Sequence, residues 1–282
     1  MCRWLAYTGS PIYMDSLLLK PEHSLIDQSR RSQRLHTGMD DQSQAAFFMN
    51  GDGVGLGWYN DQDEPGVYRD IQPAWNDHNL RSLAQHTQSS LFLAHVRASS
   101  GTAIQRTNCH PFRFEKWLFQ HNGSITNFAA VKRDIDLAVD ADLYARMEGS
   151  TDSERMFYLA LTFGLVRDPP RALARMAGFV ETVGRGAGSD SPLRMTVAVS
   201  DGQRIFAVRY GSGDRAPTLF HNRSTTALKE VGGQRAEIPD DAIVVLSEPL
   251  DHISDHWEEI PPSTLLVIDD QKVTTHPFEP IA

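Results

Sequence analysis

Alternation of apolar and polar side chains is the clearest pattern along the chain. Leu193, Met195, Val197 and Val199 alternate with Arg194, Thr196, Ala198 and Ser200, and Asp201-Gly202 then leads into Arg204 to Tyr210. This period of two predicts a β-hairpin with one buried face. Cys2 to Tyr7, Val54 to Tyr59, Leu91 to Ala98, Trp117 to Gln120, Thr218 to Asn222, Ala242 to Ser247 and Thr264 to Asp269 read as further strands, bounded mostly by Gly, Pro or Asp. Helical periodicity covers Met14 to Lys20, Leu80 to His86, Asn127 to Leu137, Ser153 to Val166 and Arg171 to Val183. The fourth of these is apolar on most of its surface, which predicts a position between a sheet and another layer. Strands in consecutive hairpins with helices grouped near the middle predict an α+β layered fold with mainly antiparallel sheets. Pro21 to Gln44 is polar and aperiodic and reads as a loop able to fold over a site, whereas Gly184, Gly186 and Gly188 follow a helix and read as a flexible connection. No composition break divides the chain, so residues 1–282 are expected to form a single domain.

With 282 residues and 40% hydrophobic content, the chain is long enough for a substantial core and too polar for a membrane protein. No stretch approaches the ~18 consecutive apolar residues of a spanning helix. The amino terminus, MCRWLAYTGSPIY, lacks the charged start, apolar stretch and cleavage site of a signal peptide, so export is not expected. Preceded by Met1 alone, Cys2 does not fit a lipoprotein cysteine either. Lys+Arg 27 against Asp+Glu 36 sets the net charge at -9, which disfavours nucleic acid as a partner because phosphate backbones reward clustered positive charge. Two cysteines, Cys2 and Cys109, fit a reducing compartment, and both are expected as free thiols in a cytoplasmic protein.

Position 2 gives Cys2 two readings, a small core residue or a nucleophile. Removal of Met1 would leave a thiol and a free α-amine on one residue. An α-amine titrates near pH ~7.7–8.0 and a free thiol near ~8.5, so the amine can act as base to its own thiol at neutral pH. Three further segments follow MCRWLAYTG in order: HVRASSGTAIQRTNCHPF from His95, QHNGSITNF from Gln120 and STDSE from Ser150. Each alone has an ordinary explanation. Arg97 ends an apolar strand and is expensive to bury without a bidentate carboxylate, Asn122-Gly123 is a turn signal after a short strand, and Thr151-Asp152-Ser153-Glu154 is a capping box.

Taken together with the amino-terminal Cys, the four segments resemble the class II glutamine amidotransferases. The resemblance is to the stand-alone branch with the ergothioneine-pathway γ-glutamyl hydrolase and the amidotransferase-like subunit of yeast glutathione degradation. NGDGVGLGWY from Asn50 and VVLSEPL from Val244 extend it over most of the chain. It implies a four-layer αββα N-terminal-nucleophile hydrolase sandwich, with Cys2 as nucleophile and the Asn122 side chain and Gly123 N–H as oxyanion donors. It also implies that Arg97 holds the substrate's α-carboxylate and Asp152 its α-ammonium. Ser100 stands where the sugar-aminating members carry threonine, so its hydroxyl is a further candidate head-group contact. Ala98 replaces their tryptophan and Gly101 their histidine, which suits a more open pocket.

The resemblance implies hydrolysis of a γ-glutamyl amide through a thioester on Cys2, with no cofactor. Its alternatives are a glutaminase that passes ammonia to a separate synthetase, with a synthetase or peptidase subunit as partner, and a retired relative that only binds a γ-glutamyl ligand or a partner. His95, Cys109, His110 and His121 show none of the Cys-x-x-Cys or His-Glu-x-x-His spacings of a metal site, so no metal is expected; His110 is read as bracing its loop and Cys109 as buried and inert.

Overall fold

The computed structural model describes residues 2–32, 49–99, 101–214, 216–232 and 238–282. In chain order its first half contains β1 (Arg3–Tyr13), α1 (Asp15–Leu18), α2 (Leu25–Arg31), β2 (Val54–Tyr59), β3 (Gly66–Asp70), α3 (His78–His86), β4 (Gln88–Val96), β5 (Phe112–Phe114) and β6 (Trp117–Ile125). Helices α4 (Phe128–Ala138), α5 (Ala141–Tyr144), α6 (Asp152–Thr162) and α7 (Pro169–Gly186) follow. The remainder is β7 (Leu193–Ser200), β8 (Ile205–Gly211), β9 (Phe220–Asn222), α8 (Thr225–Gly232), β10 (Ile243–Leu246), β11 (Trp257–Glu259), β12 (Thr264–Asp269) and β13 (Lys272–Pro277).

Period-two side-chain placement explains how these elements stack into layers. In β1, Trp4 and Ala6 enter one apolar cluster with Leu118, Ala198, Ala207 and Leu266 of the other sheet, while Leu5 and Tyr7 enter a second with Leu17, Leu25 and Leu80 from the helices outside. In β7, Met195, Val197 and Val199 pack with Phe157, Leu161, Leu173 and Val180 of α6 and α7 in a third cluster. Three apolar layers therefore separate four layers of secondary structure, helix, sheet, sheet, helix, as the resemblance implies.

One sheet has seven strands in the order β11-β9-β10-β1-β4-β2-β3, the other six in the order β13-β12-β8-β7-β6-β5, and the paired strands run antiparallel. Among the described residues no helix is long and apolar enough to cross a membrane.

Several expectations need correction. The β7–β8 hairpin has two buried faces, since Thr196, Ala198 and Ser200 are buried against the other sheet; these small residues let the sheets approach, and Thr196 Oγ1 accepts the indole N–H of Trp4 at 3.1 Å. Gly184 and Gly186 belong to α7, not to a flexible connection. The aperiodic stretch from Pro21 contains α2, capped by Ser24 through the Asp27 N–H, while 33–48 lies outside the described residues. Asn122-Gly123 lies inside β6, paired with Thr196 and Met195 of β7, and forms no turn.

Candidate active site

Strand pairing assembles the site. Antiparallel β1 and β4 meet with Arg3 opposite Val96, which sets Cys2 beside Arg97 and Ala98. The Cys2 thiol accepts the Ala98 N–H at 3.4 Å, and its Sγ lies 3.6 Å from the Ala98 carbonyl. Burial pushes the thiol pKa above 9.0, and this outweighs the opposing Ala98 contact and the positive charges of Arg97 and Arg3. At neutral pH the thiol is protonated, so it needs a base to react.

A cavity of about 210 Å³ is lined by Cys2, Arg97, Ala98, Ser99, Thr102, His110, His121, Gly123, Thr151 and Asp152, with Ser124, Ile125, Phe128 and Ser153 completing the wall. Arg97 is buried. Its guanidinium donates to Asp52 O, Ser99 Oγ, Thr102 Oγ1 and Ala103 O, and no carboxylate of the described residues lies within ion-pair distance of it. These neutral acceptors orient the planar group without cancelling its charge. The loop that carries them is itself held by Asp52, which accepts the Ser99 N–H at 2.7 Å.

Across the cavity, Asp152 opens α6. The Thr151 hydroxyl accepts the Glu154 N–H, which is one half of the expected capping box. The other half is absent, because the Glu154 carboxylate accepts instead from the N–H groups of Glu148 and Gly149. Asp152 is fixed by the Ile125 N–H at 2.9 Å and the Ser153 N–H at 2.8 Å, and no cation of the described residues pairs with it. One cavity therefore holds a thiol, a cation without an anion and an anion without a cation.

Gly123 also lines this cavity. A Cβ here would lie 1.9 Å from the Arg194 carbonyl and 2.6 Å from His121 Nε2, so only glycine lets β6 approach β7 at this point. Asn122 does not line the cavity. Gln120, on the same face of β6, donates to Leu5 O of the opposite sheet, so Asn122 faces β1. Its side chain is buried and makes no hydrogen bond among the described residues, its Oδ1 being an unsatisfied buried acceptor. Ser100 lies outside the described residues.

Sequence reasoning missed the polar supports of this site. His121 Nδ1 lies 2.8 Å from Ser153 Oγ, which in turn donates to Asp152. His95 stacks on His110 with ring centroids 4.1 Å apart, and His95 Nε2 meets His121 O at 3.2 Å. Burial lowers the pKa of all three rings, that of His95 to about 3, so each is neutral at pH 7. Behind Cys2, Arg3 donates to Cys2 O at 3.0 Å and pairs with buried Glu248, whose other oxygen contacts His23. The SEPL segment had contributed only to the resemblance; an acidic residue in an otherwise apolar run was the available signal for this ion pair. Cys109 is buried, and burial pushes its thiol to about 11. Among the described residues no three His, Cys, Asp or Glu side chains form a group able to hold a metal ion.

Residues 36–281 match the family described as Glutamine amidotransferases class-II. The chain is 34% identical to Probable glutamine amidotransferase DUG3 of Saccharomyces cerevisiae, over 99% of this chain and 84% of that one. It is 27% identical to Gamma-glutamyl-hercynylcysteine sulfoxide hydrolase of Mycolicibacterium smegmatis, over 99% and 100% of the two chains. A glutamine aminotransferase class-II domain protein from Silicibacter pomeroyi superposes with a TM-score of 0.71 and 33% identity, over 99% of this chain and 100% of that one. The glutamine phosphoribosylpyrophosphate amidotransferase of B. subtilis, at 14% identity and a TM-score of 0.65 over 98% of this chain and 49% of that one, shares the fold. The chain is an enzyme of the family whose motifs it carries, and it belongs to the class II glutamine amidotransferases.

Proposed function

We propose that this enzyme hydrolyses a γ-glutamyl amide through a thioester on Cys2, and that its substrate is a γ-glutamyl compound larger than glutamine. One observation carries the reading: the uncompensated charges of Arg97 and Asp152 share a cavity with the Cys2 thiol. A free amino-acid head group presents a carboxylate and an ammonium, and this pair of opposite charges matches it. With the head group gripped at both charges, the γ-carbonyl is directed at the sulfur, and the reaction gains from fixed proximity.

The chemistry follows from the state of the thiol. After Met1 removal, the Cys2 α-amine takes the thiol proton and the thiolate attacks the γ-carbonyl carbon. The Gly123 N–H and the Asn122 amide donate to the resulting oxyanion. Asn122 lies outside the cavity lining and faces β1, the strand that follows Cys2, and its side chain makes no competing hydrogen bond among the described residues, so the role requires it to turn toward the sulfur. The α-ammonium protonates the departing nitrogen as its bond to carbon breaks, leaving a γ-glutamyl thioester. Water, deprotonated by the same amine, then attacks the thioester and glutamate leaves.

Two features favour a large leaving group. Ala98 is small and lines the cavity, and a Cβ at Gly101 would meet nothing within 4 Å. The name of the mycobacterial relative, a hydrolase of a γ-glutamyl sulfoxide, agrees with this choice. We also assign residues 1–282 to one catalytic domain, since β1 at the start of the chain and the late strand β10 are paired in one sheet.

The test is glutamate release from glutamine, glutathione and a γ-glutamyl anilide by protein whose Met1-free mass is verified. The larger amides are expected to give the higher kcat/KM, and Cys2→Ala to abolish release from every substrate. Glutamate release undiminished in Cys2→Ala would refute the mechanism. A preference for glutamine, with ammonia as sole co-product, would overturn the substrate assignment and favour supply of ammonia to a separate synthetase.

A further inference from the structure

A polar cavity larger than the one that holds Cys2 lies beside it. It encloses about 370 Å³ and is lined by Arg69, Arg113, Arg146, Glu148, Glu154 and Tyr158, with Pro65, Gly66, Val67 and Phe112. The two cavities share a wall. Residues Glu148 and Glu154 face this one while Thr151, Asp152 and Ser153 face the other, and Phe112 and His110 divide in the same way.

The charges in this cavity do not cancel. Glu154 is buried and fully engaged, accepting from the Glu148 and Gly149 N–H groups and pairing with Arg155 at 3.3 Å. Arg69 is half-buried, lies 5.8 Å from the Phe112 ring centroid and gives Nε and Nη2 to a single neutral acceptor, Pro111 O, at 3.0 and 2.7 Å; among the described residues its Nη1 makes no hydrogen bond and no carboxylate lies within ion-pair distance, Glu148 and Glu154 acting on it only from farther away. Arg146 lies over Phe114, its guanidinium carbon 5.1 Å from the ring centroid, and the guanidinium makes no hydrogen bond or ion pair among the described residues. Arg113 reaches Pro65 O and Glu64, both at 3.3 Å, from the mouth. Among the described residues that line the cavity, Glu148 is a carboxylate without an ion-pair partner.

A half-buried guanidinium with unspent N–H groups and no carboxylate in contact gains when an anion meets it, and an aromatic ring beneath a second guanidinium lowers the entropy lost on capture. We propose that this cavity is a second ligand site, which takes a small multivalent anion bearing carboxylate or phosphate groups, held by Arg69, Arg113 and Arg146. The proposal does not depend on the reaction assigned to Cys2.

Calorimetric titration of the full chain with citrate, inorganic phosphate and pyrophosphate, at an ionic strength of about 0.15 M so that diffuse surface attraction is screened, tests it. At least one of these anions is expected to bind saturably; carboxylate against phosphate preference identifies the source. Arg146→Met is expected to weaken that binding by about 5-fold or more, and Glu148→Gln to tighten it by about 2-fold or more. Both side chains are exposed, so these variants keep the fold even if Arg69→Met does not, and opposite signs from adjacent positions exclude general damage. Absence of saturable binding by all three anions, or an affinity unchanged in both variants, would overturn the site.

Discussion

Replacing Asp152 by Asn removes a charge while preserving size, which makes it a sharp probe of the head-group reading. The wild-type carboxylate accepts the Ile125 N–H through one oxygen and the Ser153 N–H and hydroxyl through the other. An amide has one acceptor oxygen, so the contact with Ile125 can persist while the –NH₂ group faces the Ser153 N–H. The loss should be about 1 kcal/mol of stability, a few degrees in Tm. The functional loss should be larger. A hydrogen bond between an ammonium and a carboxylate contributes about 1.5–3 kcal/mol, equivalent to about 10- to 150-fold in kcat/KM. The informative assay compares each γ-glutamyl substrate with its analogue lacking the α-amino group. The wild type should discriminate against the analogue by this factor, whereas Asp152→Asn should treat the two substrates nearly alike. An equal fall in activity toward both substrates would refute the reasoning, because Asp152 would then act on the fold or on the thiol and not on the ammonium.

Other outcomes follow from the same geometry. Gly123→Ala must displace β6 from β7, since its Cβ would overlap the Arg194 carbonyl; kcat should fall at least about 100-fold with the loss of an aligned oxyanion donor, and unchanged kcat would exclude the Gly123 N–H from that role. In protein that retains Met1, the raised Cys2 pKa predicts that iodoacetamide labelling of Cys2, followed by mass spectrometry, accelerates only as pH climbs past 9.0; labelling complete at neutral pH would contradict it. Burial opposes protonation of His23, yet its hydrogen bonds to Glu248 and Asp27 prevail and raise its pKa above 6.5. The stabilisation is therefore fully present below 6.5 and lost as pH rises through the higher folded value, so urea denaturation should find wild type and His23→Gln further apart at about pH 5 than at about pH 8. A gap that widens with pH would reverse the sign.

What the chain made legible, and what it did not, follows from how many neighbours each segment has. Central strands such as β2, β7 and β12 are paired on both sides and packed on both faces, so their own side chains carry a strong apolar signal, and their limits agree with the sequence reading. The four strands that were missed, β3, β5, β11 and β13, are the edges of the two sheets. An edge strand is bonded on one side only and holds polar residues, as in the largely exposed KVTTHP of β13, so its identity comes from the neighbour it joins. Helix α2 was likewise hidden by its short, polar sequence, LIDQSRR.

The site divides in the same way. The order of four short segments singled out Cys2, Arg97, Gly123 and Asp152 through the family resemblance they carry together, although each segment alone has an ordinary explanation. Their meeting was decided by strand register, which sets Cys2 beside Ala98, and by β6 and α6, which carry Gly123 and Asp152 to the same cavity. The ion pair of Arg3 with Glu248, the stacked His95 and His110, and the arginine cavity around Arg69 and Arg146 join side chains from distant elements. Residue types and their periodicity are written in the sequence, but such contacts depend on pairing and layer packing between remote segments, so only the tertiary structure determines which charges and rings face one another.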